Sequence, residues 1–146
     1  MSATTSVKLV IPSEIRLVDM VHEVSQILAE LAGFTPDDAL NVGLAVREAV
    51  INAILHGNKK EPSRTVSIQL DVRQAGGIEI KIRDQGEGFD PAGNPDPTDD
   101  DHVLNSSGRG ILMIRAFVDD VGFRFKKGRG TEVTLVKRLP HEGGAI

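Results

Sequence analysis

One predicted helix carries a carboxylate and an amide one turn apart among mostly apolar residues. Glu48 and Asn52 stand in REAVINAILHGN, residues 47–58, and residues four apart on a helix project from one face. The carboxylate can accept a proton from an attacking hydroxyl, and the amide oxygen is a ligand suited to Mg²⁺. The structural alternative is a pair that merely points to solvent. For an isolated pair the solvent-facing alternative would be preferred, but the apolar surroundings weaken it here.

A second polar segment, RDQGEGFD at residues 83–90, follows the end of a predicted strand. Asp84 ends the strand, and Gly86 and Gly88 come directly after it. Glycine lets the backbone approach a ligand closely or adopt a positive φ. A carboxylate at a strand end can accept a hydrogen bond from an amino group such as that of adenine. The alternative is a glycine-rich turn capped by Asp84, and the spacing is not that of a dinucleotide-binding G-x-G-x-x-G.

Glycines also lead into a helix and into a strand in the last third of the chain. In SSGRGILMI, Gly108, Arg109 and Gly110 open a predicted helix, whose free N–H groups favour anions such as phosphate. Arg109 could add a charge-assisted contact, whereas the alternative is a flexible linker. Thr131 begins a strand after a hairpin turn, where its hydroxyl could reach a neighbouring pocket. No P-loop pattern is present.

The elements that must position these residues follow from apolar periodicity and turn signals. The order is β-α-α-β-β-loop-α-β-β, with strands predicted at about 6–12, 65–72, 78–84, 121–127 and 131–139, and helices at about 13–32, 35–56 and 110–120. Gly33 ends the first helix, and Thr35 is the N-cap of the second. The apolar stripe of the first helix is predicted to consist of Ile15, Val18, Val21, Val24, Leu28 and Leu31. Both hairpins pair locally, and the helices need one surface for their apolar stripes. We therefore predict an α+β fold, a two-layer α/β sandwich with a mixed, mostly antiparallel sheet and helices on one face.

The bulk composition narrows the classes of function. The 146 residues suit one domain over residues 1–146. A net charge of −4 and the absence of Tyr and Trp speak against direct binding of nucleic acid. The absence of Cys excludes disulfides and thiolate chemistry. No apolar run approaches the roughly 18 residues of a membrane span, and the start lacks signal-peptide features. We expect a cytoplasmic protein without a membrane partner.

The order of these motifs resembles the N, G1 and G2 boxes of the GHKL superfamily, the histidine kinase-like ATPases with the Bergerat fold. E-x-x-x-N lies on a helix, D-x-G-x-G-F-D follows a strand, G-x-G opens a helix after a long loop, and G-T begins a strand. Within the superfamily, the chain resembles the small stand-alone anti-sigma factor serine/threonine kinases over essentially its whole length. The resemblance implies ATP and Mg²⁺ as cofactors.

The resemblance also implies a role for each matching residue. Glu48 would be the general base, and Asn52 would bind the Mg²⁺ that bridges the ATP phosphates. Asp84 would read the adenine amine, helped by Thr131 through water. The glycine segments would pass and hold the nucleotide, with Gly86 and Gly88 alongside it and Gly108, Arg109 and Gly110 at the phosphates, where a lid spanning about 91–108 ends.

Members of this family act by partner switching, and the resemblance implies the same here. A homodimer would sequester a sigma factor and phosphorylate a serine or threonine of a STAS-domain anti-anti-sigma antagonist. Arg16 and His22, on the exposed side of the first helix, are candidate partner contacts, with ordinary solvated side chains as the alternative. Ser106 stands where some relatives carry a lid arginine, and Arg109 lies among the glycines instead.

Two other functions stay open at this point. The chain could be a nucleotide-binding regulatory module that acts by holding a partner, with little phosphoryl transfer. It could also be a detached histidine-kinase-type catalytic domain. That function needs a phospho-accepting helical hairpin, and no such hairpin fits the residues before 35.

Overall fold

The computed structural model describes residues 4–73, 76–86, 110–126, 128 and 130–140. The predicted element order is found, with bounds shifted by a few residues. The strands are β1 (Thr4–Pro12), β2 (Thr65–Arg73), β3 (Gly77–Arg83), β4 (Asp120–Lys126) and β5 (Gly130–Arg138), and the helices are α1 (Val18–Ala32), α2 (Pro36–Asn52) and α3 (Gly110–Phe117). The predicted lid at 91–108 lies outside the described residues.

The strands form one 5-stranded sheet in the order β1-β2-β3-β5-β4. Every neighbouring pair is antiparallel, so the predicted α+β class is confirmed, and the sheet is antiparallel throughout its described part rather than mixed. Strand β5 lies between β3 and β4 in the sheet, although β4 is the strand that comes next after β3 in the sequence. This order brings the end of β3 next to the start of β5, where Arg83 is paired with Glu132.

The core lies between one face of the sheet and the helices. Alternate strand residues are buried, as the period of two requires, and they are Val66, Ile68, Leu70, Val72, Ile78, Ile80, Ile82, Val133 and Leu135. The opposite face is polar, with ion pairs such as Arg83–Glu132 at 2.6 Å. Burial of each large apolar side chain contributes about 1.5–3 kcal/mol. The two-layer arrangement is therefore what the alternating sequence pattern favours.

The local signals at the helix ends act as predicted. The Thr35 side chain caps α2 by accepting a hydrogen bond from the backbone N–H of Asp38 at 3.2 Å, and Gly33 ends α1 with φ 109°. The predicted apolar stripe of α1 is only partly correct, because Ile15 is 45% and Leu31 is 75% exposed. Ile15 belongs to a 3₁₀ turn that precedes α1. The buried stripe of α1 includes the small side chains of Ser25 and Ala29 instead of Leu31.

Helix α2 does not stop at Asn52 but continues as a π-helical turn, Ala53–Gly57. Such turns are rare and occur frequently at functional sites. By length and composition alone, the 22 residues Pro36–Gly57 could cross a membrane, but 56% of their most apolar window is buried inside this domain. That burial is typical of a core helix. The π-helical turn directs the chain from the core towards the end of β3.

Candidate functional site

Asp84 follows β3 directly and is held by the first residues of β5. Its backbone N–H donates to the carbonyl oxygen of Thr131 at 3.1 Å, which extends the pairing of β3 with β5. Its side-chain Oδ1 accepts hydrogen bonds from the backbone N–H groups of Gly86 at 2.9 Å and Thr131 at 3.1 Å. Two donors therefore fix one carboxylate oxygen, and the side chain is only 5% exposed.

The environment of Asp84 acts on its protonation in opposite directions. Burial raises the pKa of the carboxyl group, and this is the largest effect. The backbone N–H groups of Gly86 and Thr131 and the positive charge of Arg64 lower the pKa, but the net shift is upward. A buried carboxylate with a raised pKa at a strand end is a candidate for ligand recognition.

Glycines surround this carboxylate where any larger residue would collide with it or with the adjoining backbone. A Cβ on Gly57 would overlap Oδ2 of Asp84, and a Cβ on Gly86 would overlap the carbonyl oxygen of Gly57. Gly130 has φ 85°, and its Cβ would overlap the Asp84 carbonyl oxygen. In the sequence, Gly57 directly follows the predicted second helix, and Gly130 belongs to the predicted hairpin turn before Thr131. The only available signal was that each glycine lies beside a candidate motif.

Helix α2 supplies the second half of the site. Asn52 is 8% exposed, and its Oδ1 is the one buried side-chain polar atom of the described residues that has no hydrogen-bond partner. Such an unpaired acceptor costs on the order of 1–3 kcal/mol, and an amide oxygen is a suitable ligand for a hard cation. The solvent-facing alternative is therefore wrong for Asn52.

Glu48 lies one turn before Asn52 and is half buried. Within the described part of the chain, its carboxylate has no hydrogen bond or ion pair, so it is available to a substrate. The π-helical turn connects these side chains to Asp84, because Gly57 at its end lies against the Asp84 carboxylate. One continuous segment thus carries the candidate base, the candidate cation ligand and the contact with the strand-end carboxylate.

The remaining predicted residues divide into those that the structure describes and those outside it. Gly110 is buried and begins α3, which packs on α2. Arg16 is exposed and pairs with Glu14 at 2.9 Å. His22 is half buried against Gly43 of α2 rather than on the exposed side as predicted. Predicted site residues outside the described part are Gly88, Gly108 and Arg109.

A family profile described as the histidine kinase-like ATPase domain matches residues 11–137. The chain belongs to the histidine kinase-like ATPase family. The match spans both halves of the site, from Glu48 to Thr131, and it confirms the resemblance inferred from the motif order. An ATPase domain of this family uses ATP, which agrees with a site that combines a buried strand-end carboxylate with a buried amide oxygen.

Named relatives of this histidine kinase-like ATPase cover most of its length. It is 30% identical to the anti-sigma F factor of Heyndrickxia coagulans over 130 residues, and this aligned region covers 87% of this chain and 82% of the relative. It is 38% identical over 108 residues to the anti-sigma F factor of Oceanobacillus iheyensis, over 72% of this chain and 73% of the relative. It is 28% identical over 142 residues to the serine-protein kinase RsbW of Bacillus velezensis, over 93% of this chain and 87% of the relative.

Solved structures share the fold of this histidine kinase-like ATPase. The RsbU and RsbW domains of Rv1364c from Mycobacterium tuberculosis superpose with a TM-score of 0.61 at 20% identity, over 93% of this chain and 33% of that one. The histidine kinase domain of the blue-light activated histidine kinase from Erythrobacter litoralis EL346 superposes with a TM-score of 0.57 at 18% identity. The superposition covers 84% of this chain and 61% of that domain's chain. The predicted Bergerat fold is thereby confirmed.

Proposed function

We propose that this chain is an ATP-dependent anti-sigma factor that sequesters a sigma factor and phosphorylates a serine or threonine of a STAS-domain anti-anti-sigma antagonist. The observation that carries the nucleotide site is the buried Asp84 carboxylate, fixed through one oxygen by the backbone N–H groups of Gly86 and Thr131. The names of the relatives, anti-sigma F factor and serine-protein kinase RsbW, support the choice of partners.

Asp84 would recognise the base. Its Oδ1 is already engaged by backbone donors, so the other oxygen is the acceptor for the exocyclic amine of adenine. Thr131 would add a contact through water from the adjoining strand. Guanine carries a carbonyl oxygen at the corresponding position, and an ionised carboxylate would repel it. The site therefore favours ATP over GTP.

Helix α2 would handle the phosphate end. The buried Oδ1 of Asn52 fits a magnesium ligand, and bound Mg²⁺ would neutralise phosphate charge during transfer. Glu48 would take the proton of the target hydroxyl while that oxygen bonds to the γ-phosphorus and ADP leaves. The glycine segments would carry the nucleotide backbone contacts, with Gly86 and Gly88 beside it and Gly108, Arg109 and Gly110 at the phosphates.

The wider setting is part of the same proposal. The chain would act as a single domain over residues 1–146 in the cytoplasm, as a homodimer, without direct contact with nucleic acid or membrane. The net charge of −4 supports the absence of a nucleic-acid surface. Arg16, which is exposed on the approach to α1, is the better placed of the two candidate partner contacts. His22 would act only through the packing of α1 on α2.

An affinity pull-down from the source cell's lysate, run with Mg-ATP and with Mg-ADP, tests the proposal. Retention of a sigma factor with ATP, together with a STAS-domain protein that gains phosphoserine or phosphothreonine, is the expected result. ATP binding and partner retention without any transfer would favour the regulatory module instead. A phosphohistidine on this chain would favour the histidine-kinase-type domain. Recovery of neither partner would remove the anti-sigma assignment.

A further inference from the structure

The fully buried side chain of Asn58 joins segments that are distant in the sequence. Its Nδ2 donates to the Ser13 hydroxyl oxygen at 2.9 Å and to the Thr65 carbonyl oxygen at 2.9 Å. Its Oδ1 accepts from the backbone N–H of Gln85 at 2.7 Å, and its own backbone N–H donates to the Ala53 carbonyl oxygen at 2.8 Å. Both amide donors and the amide oxygen of a 0% exposed side chain are therefore in use.

The hydrogen bond from the Gln85 N–H to Asn58 reaches the middle of the turn from 84 to 86. Gln85 lies between Asp84, the proposed base-reading residue, and Gly86, whose N–H donates to the Asp84 carboxylate at 2.9 Å. The Gln85 side chain is also fixed, because its Oε1 accepts from the backbone N–H of Thr65 at 2.6 Å. The turn from 84 to 86 is thus attached to Asn58 and to the start of β2.

Asn58 is also directly joined to the segment that carries the phosphate-handling side chains. It follows Gly57, the last residue of the π-helical turn that continues α2 from Asn52. Gly57 in turn packs closely on Gly86 and on the Asp84 carboxylate. The backbone of Asn58 therefore continues the segment that carries Glu48 and Asn52, and its side chain holds the turn that contains Asp84.

We propose that Asn58 is a positioning residue for nucleotide selectivity, which fixes the 84–86 turn at a set distance from Glu48 and Asn52. This inference rests on the proposed ATP site. A nucleotide spans both ends with a fixed separation between base and phosphates, and small errors in position are costly. Asparagine suits the place because it offers two donors and an acceptor in one plane without a charge.

A network of this kind also stabilises the fold, so stability alone cannot test the proposal. The informative quantity is the ratio of affinities for Mg-ATP and Mg-purine riboside triphosphate, which lacks the 6-amino group that Asp84 would read. Ser13→Ala is a matched control. It removes the hydroxyl that accepts from Asn58 and donates to the Arg64 carbonyl oxygen at 2.7 Å, while the bond from Gln85 to Asn58 remains.

The experiment measures both affinities by calorimetry on the full chain and on Asn58→Ala, with melting temperatures for each. The wild type is expected to prefer ATP by about tenfold or more, the value of one hydrogen bond to a charged group. Asn58→Ala is expected to lower the preference to about threefold or less, on the same basis. Ser13→Ala is expected to keep the wild-type preference even where its melting temperature falls.

Some results would overturn the proposal. These are an Asn58→Ala variant that keeps the full preference, or a Ser13→Ala variant that loses it equally. If Asn58→Ala does not fold, Asn58→Ser is judged by the same criterion, since its hydroxyl is too short to reach Gln85. Hydrogen exchange on the wild type gives a further check, because the Gln85 amide must be protected. A wild type that binds neither nucleotide would remove the proposed function itself, before any variant is compared.

Discussion

The Asp84 carboxylate accepts a hydrogen bond at 3.1 Å from the backbone N–H of Thr131, 47 residues later in the chain. The contact exists because β5 pairs with β3, which places Glu132 opposite Arg83 and sets Thr131 beside Asp84, the residue that follows β3. Sheet topology therefore assembles the end of the candidate site at Asp84, where we propose that the base is recognised. Several expected outcomes depend on this relationship and on the α2 side chains.

Asp84→Asn should weaken ATP binding by about 10- to 150-fold, the range expected for a lost hydrogen bond to a charged acceptor. The amide can still accept from the backbone N–H groups of Gly86 and Thr131 through Oδ1, but it turns a donor towards the adenine amine. Calorimetry with Mg-ATP and Mg-GTP measures the effect, and the preference for ATP should shrink. Unchanged ATP affinity in a folded variant would show that Asp84 does not read the base.

The raised pKa of Asp84 gives a pH dependence with a definite sign. Burial disfavours the ionised form in the folded state. The group therefore adds most to folding stability below its ordinary pKa of 3.8, and this contribution is lost as the pH rises through the folded-state pKa. The difference in unfolding free energy, wild type minus Asp84→Asn, should therefore be smaller at neutral pH than at acidic pH. Urea unfolding of both proteins at several pH values checks this difference.

ATP binding should respond to pH in the opposite direction, because the base-reading oxygen must be ionised. Affinity is expected to fall on acidification, beginning above the pH at which an ordinary aspartate titrates. Calorimetry between neutral pH and the onset of acid unfolding measures it. A flat affinity profile in Asp84→Asn is the control. If the ATP affinity of the wild type were equally independent of pH, the proposed role of an ionised Asp84 in binding the base would be contradicted.

Gly57→Ala should destabilise the protein and abolish ATP binding, because the added methyl group would overlap the Asp84 carboxylate. The expected cost is about 1–3 kcal/mol of unfolding free energy, typical of overpacking. Gly122→Ala on β4 is the matched control, since an added methyl there meets nothing within 4 Å, and its effect should stay within about 0.5 kcal/mol. Urea denaturation and ATP titration of both variants measure these effects. Equal unfolding free energies for the two variants would contradict the predicted overlap of residue 57 with Asp84.

Glu48→Gln should separate binding from chemistry. The side chain is half buried and has no hydrogen bond within the described residues, so its amide should leave ATP affinity within about twofold of wild type. Phosphoryl transfer to a serine or threonine of the antagonist should fall by about 10²- to 10⁴-fold, the usual contribution of a general base. Labelled-phosphate transfer with purified partners measures it. Transfer at the wild-type rate would assign the base elsewhere.

Short-range signals explain which parts of this fold were predictable. The Thr35 cap, the Gly33 helix end and the alternation along β2 and β3 depend on neighbouring residues, and each is found as predicted. The candidate pair Glu48 and Asn52 was likewise visible from helical spacing. Helix α1 was less clear, since apolar spacing alone did not separate buried positions from the exposed Leu31.

Long-range relationships were not predictable from these patterns. Gly57, Gly130 and Asn58 matter because of what the folded chain places beside them, and in the sequence they were only the ends of a helix and a turn. The half-buried position of His22 depends on how closely α1 approaches Gly43. The wholly antiparallel sheet follows from β5 returning beside β3, which hairpin signals do not specify.

The sheet order also has a consequence for biosynthesis. Strand β5, which supplies the Thr131 N–H, is the last strand of the described chain and lies beside β3. While a nascent chain has α2 and β3 outside the ribosome but β5 still inside it, Asp84 lacks the hydrogen bond from the Thr131 N–H. Because a ligand stabilises only the state that it binds, nucleotide bound at Asp84 would stabilise only those chains in which β5 has already paired with β3.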